Sequence, residues 1–310
     1  MRCVVVGAGV SGLSCAIRLL ESGHDVELIS DKFSPETVSD VAAAIWYPFL
    51  TAPAHKADKW GIVTYDELER MSEEVPQAGV RMRDGREYLR EEVPLPTWKD
   101  DIAAFRVLEK SEIPEDYVFG WEFRAPVIEM PLYMPWLKRR VEELGGLFKQ
   151  RFIDSLSEID SEIVVNCVGL GARDLCDDEL VKPARGQIIF IDQDPGFGHF
   201  DQQPETLTYT IPRSDVTVLG GTAQVDDWDL NIRDEDNDLI LRKVEAIWPE
   251  LDRSKIIGGT VGLRPSRSEV RLEVESVDGT IVVHNYGHGG AGVTLSWGCA
   301  EDVVSIVEGC

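Results

Sequence analysis

The stretch Gly7-Ala8-Gly9-Val10-Ser11-Gly12 decides the fold, because it follows an apolar strand predicted over 2–6 and opens a helix predicted over 12–22. Gly7 permits a tight turn, Gly9 permits a close backbone approach to a pyrophosphate, and Gly12 lets the helix pack on the sheet. The helix N-terminus offers free N–H groups and positive dipole to phosphates. Asp31 ends the next strand, predicted over 26–30, where its carboxylate can accept hydrogen bonds from an adenosine ribose. This βαβ unit predicts a dinucleotide site, but the motif alone does not distinguish NAD from FAD.

The remaining chain alternates between helical and strand patterns. Apolar periodicity predicts helices over 65–71, 133–144 and 239–248 and a last helix after residue 292, with strands over 163–168, 187–191, 206–211, 217–219 and 281–284. Residues 117–130 are predicted to form strands of a different, antiparallel sheet. We therefore predict an α/β fold of mixed α+β character, in which a Rossmann-like GxGxxG domain is interleaved with a domain built on a mixed β-sheet. The first domain is assigned to 1–45, 131–184 and 265–310, and the second to 46–130 and 185–264.

Charge and composition exclude several classes of protein. The 310 residues are 43% hydrophobic and carry a formal net charge of -25, which opposes binding to nucleic acid or to an anionic membrane. No apolar run approaches the roughly 18 residues needed to span a bilayer. The six cysteines include no CxxC pair and no signal peptide precedes the first strand, so we expect reduced thiols, no metal site and a cytoplasmic location.

A second glycine-rich stretch, His284-Asn285-Tyr286-Gly287-His288-Gly289-Gly290-Ala291-Gly292, precedes the last helix. Clustered glycines let the backbone come close to a planar ring. The positive end of the following helix would favour a ring that carries negative charge. This stretch resembles the C-terminal signature of the D-amino-acid oxidase family. Further matches to that family follow in the same order along the chain: Asp40-Val41-Ala42-Ala43-Ala44-Ile45-Trp46, Arg185-Gly186-Gln187, Gly220-Gly221-Thr222 and Gly262-Leu263-Arg264-Pro265.

The resemblance implies FAD as the cofactor, and it extends the phosphate-binding turn to a full set of cofactor contacts. The hydroxyls of Thr37 and Ser39 would serve the phosphates or the ribityl chain, although Val38 interrupts that run. The residues expected to contact FAD are Gly7, Ala8, Gly9, Val10, Ser11, Gly12, Asp31, Lys32, Thr37, Ser39, Ala44, Ile45, Phe152, Cys167, Gly169, Gly289, Gly290, Ala291, Gly292, Val293 and Thr294.

The family also implies the residues that hold the substrate. Arg264 matches the carboxylate-binding arginine, whose guanidinium fork suits a carboxylate in a bidentate arrangement. Tyr209 matches the tyrosine that touches the same carboxylate, and Gly290 completes the catalytic set. We expect His288 and His284 to be structural. The side-chain pocket is expected to be lined by Ile45, Tyr47, Ile211, Ala223 and Glu205.

The reaction implied is the oxidation of a D-amino acid, in which hydride passes from Cα to the flavin N5. The imino acid hydrolyses to a 2-oxo acid and ammonia, and molecular oxygen reoxidises the flavin to give hydrogen peroxide. Three alternatives stay open: a glycine or D-aspartate oxidase, a dehydrogenase with another electron acceptor, and a flavin-binding protein without turnover. The partners expected are a small-molecule substrate and oxygen, with a homodimer as an open alternative for the assembly.

Two positions depart from the better-known members of the family. Counting back from Tyr209 puts Glu205 where those members carry a lid tyrosine, in a shorter loop, so we expect a short or open lid. The D-aspartate branch carries an arginine where this chain has Ala223, and a carboxylate buried without such a partner is strongly penalised. We therefore expect neutral, bulky D-amino acids to be preferred over D-aspartate. Glu205, if it reaches the pocket, would admit D-arginine or D-lysine.

Overall fold

The computed structural model describes residues 1–48, 51–203, 206–277 and 279–310. In these ranges the strands are β1 (Arg2–Val6), β2 (Asp25–Ser30), β3 (Val80–Leu89), β4 (Phe105–Val107), β5 (Phe119–Ile128), β6 (Leu147–Gln150), β7 (Ile163–Asn166), β8 (Lys182–Ile191), β9 (Gly198–Asp201), β10 (Thr208–Pro212), β11 (Thr217–Gly220), β12 (Gln224–Val225), β13 (Ile256–Val277) and β14 (Thr280–His288). The α-helices are α1 (Val10–Glu21), α2 (Ala54–Glu74), α3 (Met130–Glu143), α4 (Ala172–Leu175), α5 (Asp234–Ile247) and α6 (Gly292–Glu308).

The predicted βαβ unit is confirmed. Strand β1 pairs in parallel with β2 on one side and with β7 on the other, while β6 and β14 extend this parallel region outward. Helix α1 begins at Val10, two residues before the predicted start, because Gly9 has extended backbone angles and serves as the N-cap. Leu13, Ala16 and Ile17, which lie along one face of this helix, are all buried.

The antiparallel region is continuous with the parallel one, so the prediction of a different sheet for 117–130 is wrong. Those residues supply a single strand, β5, which pairs antiparallel with β3. The connection is made by β13, whose first half pairs with β8 and whose second half pairs with β14. Across the described residues, all fourteen strands therefore belong to one mixed sheet. The division into two interleaved domains stays a prediction.

Helices α1, α2 and α6 pack together beside the parallel region of the sheet. Their contact is close because Gly298 of α6 lies against the backbone of Trp60 in α2, and a Cβ at Gly298 would lie 2.3 Å from Trp60 Cα. The Thr64 hydroxyl of α2 accepts the main-chain N–H groups of Trp297 and Gly298, both at 3.1 Å. None of the helices in the described ranges is long and apolar enough to cross a membrane.

Candidate active site

A cavity of about 590 Å³ opens at the carboxyl ends of β1, β2 and β7, where Gly7, Asp31 and Cys167 line it. This is the edge at which parallel α/β sheets bind their ligands. Arg264 of β13 and Tyr209 of β10 line the same cavity. One space therefore joins the predicted dinucleotide turn to the predicted substrate residues.

Two glycines in the region after β1, Gly7 and Gly12, are packed too closely for a side chain. Gly7 has φ +104°, and a Cβ there would lie 2.4 Å from the carbonyl oxygen of Cys167. A Cβ at Gly12 would lie 1.9 Å from the carbonyl oxygen of Gly7, so Gly12 sets the contact between helix and turn. The N–H of Val10, in the first turn of α1, donates to Ser39 Oγ at 3.0 Å. This bond ties the 37–41 segment to the start of the helix.

Most of the residues predicted to bind the cofactor line this cavity. Three of them do not: Gly12 packs on Gly7, Ala291 is fully buried, and the Thr294 hydroxyl bonds the main chain of Tyr47 at 3.2 Å. The predicted residues that do line it are Gly7, Ala8, Gly9, Val10, Ser11, Asp31, Lys32, Thr37, Ser39, Ala44, Ile45, Phe152, Cys167, Gly169, Gly289, Gly290, Gly292 and Val293.

The guanidinium of Arg264 lies over Gly186 of the neighbouring strand β8. A Cβ at Gly186 would lie 2.3 Å from Arg264 Nη1, so only glycine leaves room for it. Arg264 Nη1 donates to the carbonyl oxygen of Thr222 at 2.8 Å. No carboxylate of the described residues lies within ion-pair distance of this guanidinium, which leaves its charge available to an anionic ligand.

Tyr209 lies beside Arg264, with its ring packed against the Gly220–Gly221 segment. A Cβ at Gly220 would lie 2.1 Å from Tyr209 Cζ. Burial raises the pKa of Tyr209, and the nearby charge of Arg264 only partly opposes this. The phenol therefore stays protonated at neutral pH and can donate a hydrogen bond.

The predicted pocket residues separate into two groups. Ile45, Tyr47 and Ile211 line the large cavity. Ala223 lines instead a smaller cavity of about 240 Å³, which shares Arg264 and the Gly289–Gly290 backbone with the large one. Glu205, the position at which the lid was expected, lies outside the described residues.

Neither predicted structural histidine has the surroundings of a general base. His288 Nε2 lies 3.0 Å from Asn285 Oδ1, and burial lowers the pKa of His288 to about 4. His284 on β14 bonds Asn166 of β7 at 3.1 Å and Glu275 of β13 at 3.0 Å, and so links the two strands that flank its own. Both rings therefore act as hydrogen-bonding parts of the framework.

Sequence reasoning missed three polar residues near the substrate end. Gln202 lines the large cavity, and Glu87 accepts its main-chain N–H at 3.0 Å. Lys243 Nζ donates to the carbonyl oxygens of Leu207 and Gly221, at 2.7 and 3.0 Å, and so holds the segments that flank Tyr209. Glu87 and Lys243 belong to charged stretches that are typical of exposed surfaces, so no local signal distinguishes them.

Comparison with known proteins defines the class. Residues 2–306 match the model of the FAD dependent oxidoreductase family, and the chain belongs to that family. It is similar to a D-amino-acid oxidase of Rubrobacter xylanophilus, with 42% identity over 98% of this chain and 95% of the relative. It is also similar to a D-aspartate oxidase of Homo sapiens, with 39% identity over 100% and 95%. Glycine oxidase from Geobacillus kaustophilus shares the fold, with a TM-score of 0.82 at 16% identity over 99% and 95% of the two chains.

The predicted family and its FAD cofactor are thereby confirmed, and the cavity suits that cofactor. A Cβ at Gly9 would lie 3.1 Å from Ser39 Oγ. Because Gly9 has no Cβ, the backbone N–H groups of the turn stay open to a phosphate. Asp31 would hold the adenosine ribose. The Gly289–Gly290 backbone, with φ +56° at Gly289, offers a side-chain-free surface to the flavin ring.

Proposed function

We propose that this protein is a D-amino-acid oxidase that converts a D-amino acid, oxygen and water to a 2-oxo acid, ammonia and hydrogen peroxide. The observation that carries the proposal is the guanidinium of Arg264, which has no carboxylate partner among the described residues and faces the cavity that holds the glycine loop. Relatives named D-amino-acid oxidase support the same activity.

Arg264 and Tyr209 divide the recognition of the substrate between charge and hydrogen bonding. The fork of Arg264 would bind both oxygens of the α-carboxylate, and the protonated Tyr209 would donate to one of them. Two contacts to one carboxylate fix its orientation, and Cα is then set against the Gly289–Gly290 side of the cavity. Bound FAD supplies the oxidising chemistry and passes the electrons to oxygen.

The described cavity wall disfavours the D-aspartate alternative. Besides Arg264, the cationic residues that line the large cavity in the described ranges are Lys32 and Arg151, which follow β2 and β6 beside Asp31. Among the described residues that line the cavity, a second carboxylate on the substrate would thus find no cation near Tyr209 other than Arg264, which already holds the α-carboxylate. Because a buried, unpaired carboxylate is heavily penalised, we propose that acidic D-amino acids are poor substrates.

A peroxide assay with matched D- and L-amino acids tests the activity. The purified yellow protein should produce hydrogen peroxide with several D-amino acids and not with their L-enantiomers. Under anaerobic conditions the same D-amino acids should bleach the flavin. Bleaching without peroxide in air would indicate a dehydrogenase with another acceptor, and no bleaching by any amino acid would indicate a flavin-binding protein without turnover.

We also propose a cytoplasmic location, supported by six cysteines that are all free thiols in the structure. The second point to be tested is whether the protein is a homodimer. Cell fractionation and light scattering of the purified protein test these two points separately.

A further inference from the structure

A carboxylate is buried beside the substrate end of the cavity. Glu87 of β3 is 2% exposed, and its register partners are Trp121 on β5 and Phe200 on β9. Residues directly opposite one another in a sheet share a face, so the carboxylate lies between two aromatic side chains. Phe200 also lines the large cavity, which places Glu87 next to the wall of that cavity.

Only half of this carboxylate is satisfied. Oε1 of Glu87 accepts the main-chain N–H of Gln202 at 3.0 Å, whereas Oε2 is buried with no hydrogen-bond partner among the described residues. Among the described residues, Gln202 Nε2 and Trp121 Nε1 are also buried without a hydrogen-bond partner, although the Gln202 side chain lies close enough to Glu87 to lower the pKa of that carboxyl group. Buried carboxylates are ordinarily paired, so an unpaired oxygen of this kind marks a place where a ligand can supply the missing donor.

The neighbouring acid does not share this property. Asp201 is fully buried, but Tyr117 donates to it at 2.9 Å and Thr206 at 2.6 Å. Arg90 adds an ion pair to Asp201 at 3.8 Å. Asp201 therefore has hydrogen-bond partners for its carboxylate, whereas one oxygen of Glu87 does not.

The wall between Glu87 and the cavity is built of groups that suit a cation. Gln202 and Tyr47 both line the cavity, and the pKa of Tyr47 is raised first by burial and then by the charge of Glu87. The Tyr47 ring packs against Trp98 and Phe123 with centroids 5.6 Å apart in each case. Aromatic faces and a carboxylate together attract ammonium and guanidinium groups.

We propose that the substrate site selects D-amino acids with a positively charged side chain, whose ammonium or guanidinium group lies against Gln202 and the Tyr47 ring and is attracted by the carboxylate of Glu87 behind them. This inference rests on the proposed D-amino-acid oxidase function. Arg264 takes the α-carboxylate at one end of the substrate, and the Gln202 and Tyr47 wall, with Glu87 behind it, takes the cation at the other. The preference differs from the neutral one expected from Ala223, which lines the smaller cavity.

The experiment compares D-arginine with D-citrulline, its uncharged analogue of nearly the same shape. The wild-type kcat/KM should be at least about ten-fold higher for D-arginine. Glu87→Gln keeps the acceptor for the Gln202 N–H and removes the carboxyl group that ionises beside a bound cation, so it should lower kcat/KM for D-arginine about ten-fold or more while changing that for D-citrulline less than about three-fold. Glu91→Gln, an exposed position close by on the chain, serves as the matched control and should change neither value.

A binding measurement on the wild-type protein tests the inference even if the Glu87 variant does not fold. The flavin absorbance of wild-type protein is titrated with 5-guanidinopentanoate and with hexanoate, neither of which carries the α-amino group that the oxidase would act on. The guanidino acid should bind at least about ten-fold more tightly. Equal binding of the two acids, or a wild-type preference for D-citrulline, would overturn the inference and leave the oxidase function standing. Failure to oxidise any D-amino acid, while the guanidino acid still binds preferentially, would instead reject the proposed function.

Discussion

At the scale of single residues, Arg264 is the sharpest test of the site. Arg264→Ala should lower kcat/KM by about 30-fold to several thousand-fold, equivalent to roughly 2–5 kcal/mol, because the substrate carboxylate loses its buried counter-charge. The FAD content and the thermal midpoint should stay near those of the wild type. Arg242→Ala, at an exposed position on α5, is the matched control. Kinetics close to the wild type in the Arg264 variant would remove this residue from the site.

Glu87 should also make the stability of the substrate-free protein depend on pH. Burial raises the pKa of Glu87 to about 8; the Gln202 N–H opposes the rise and the charge of Asp201 adds to it. Between its ordinary range near pH 4.5 and about pH 8, the folded protein keeps a proton that the unfolded chain has released, so Glu87 weakens folding as the pH rises through this window.

Glu87→Gln removes that titration. The thermal midpoint of the variant, relative to that of the wild type, should therefore rise between pH 5 and pH 8. The other groups that face Glu87, Tyr47 and Asp201, are present in both proteins and cancel in the comparison. Calorimetry at the two pH values measures the effect. If the difference in thermal midpoint between the variant and the wild type is the same at pH 5 and pH 8, the raised pKa of Glu87 is contradicted.

Site residues could be predicted from the sequence where a short local motif defines their role, and were missed where their role depends on distant parts of the chain. Gly7, Gly9 and Asp31 could be predicted because the glycine turn and the following strand place them at a fixed spacing. Arg264 and Tyr209 were assigned by resemblance, and the structure brings both to one cavity. Glu87 was missed because its strand, Val80–Leu89, carries so many charges that it reads as an exposed edge. Its burial comes from strands far away in sequence.

At the scale of elements, the contact between α2 and α6 depends on a missing side chain. Gly298→Ala should lower the thermal midpoint markedly, because the new Cβ would meet the backbone of Trp60 at 2.3 Å and backbone cannot move aside cheaply. We expect a loss of about 1–3 kcal/mol from such overpacking. Gly309→Ala at the end of the same helix meets its nearest atom at 3.4 Å and should have little effect. Equal midpoints for the two variants would contradict this packing.

The elements themselves were predicted better than their pairing. Helix α1 and strands β1, β2, β7 and β11 fall within two residues of their predicted bounds, because each has a clear apolar period. The continuity of the sheet was not predictable, because it depends on β13. That strand contains Pro265 and a shift of register between Ser266 and Arg271, so its 22 residues do not show a regular alternation.

At the scale of the whole molecule, FAD should contribute to the stability of the fold. Its proposed contacts come from segments as far apart as Gly7, Phe152 and Gly290, so bound cofactor holds them together. Removal of FAD should lower the thermal midpoint, and added FAD at about 100 times its Kd should restore about 2.7 kcal/mol. FMN, which lacks the adenosine that Asp31 would hold, should restore less. An apoprotein as stable as the holoprotein would contradict this arrangement.

The long strand β13 has a consequence for how such a protein can change over time. Arg264 pairs with Ala184 of β8, and two residues later Ser266 pairs with His288, at the start of the Gly289–Gly290 loop. One strand, held by a ladder of hydrogen bonds on each side, thus fixes the spacing between the group that anchors the substrate and the backbone proposed to face the flavin. The walls that meet the variable side chain, Gln202, Tyr47 and Ile211, come from other segments. Mutations in those walls can therefore change which side chain the site accepts without disturbing the geometry of the reaction. Related enzymes can in this way acquire new substrates through few substitutions.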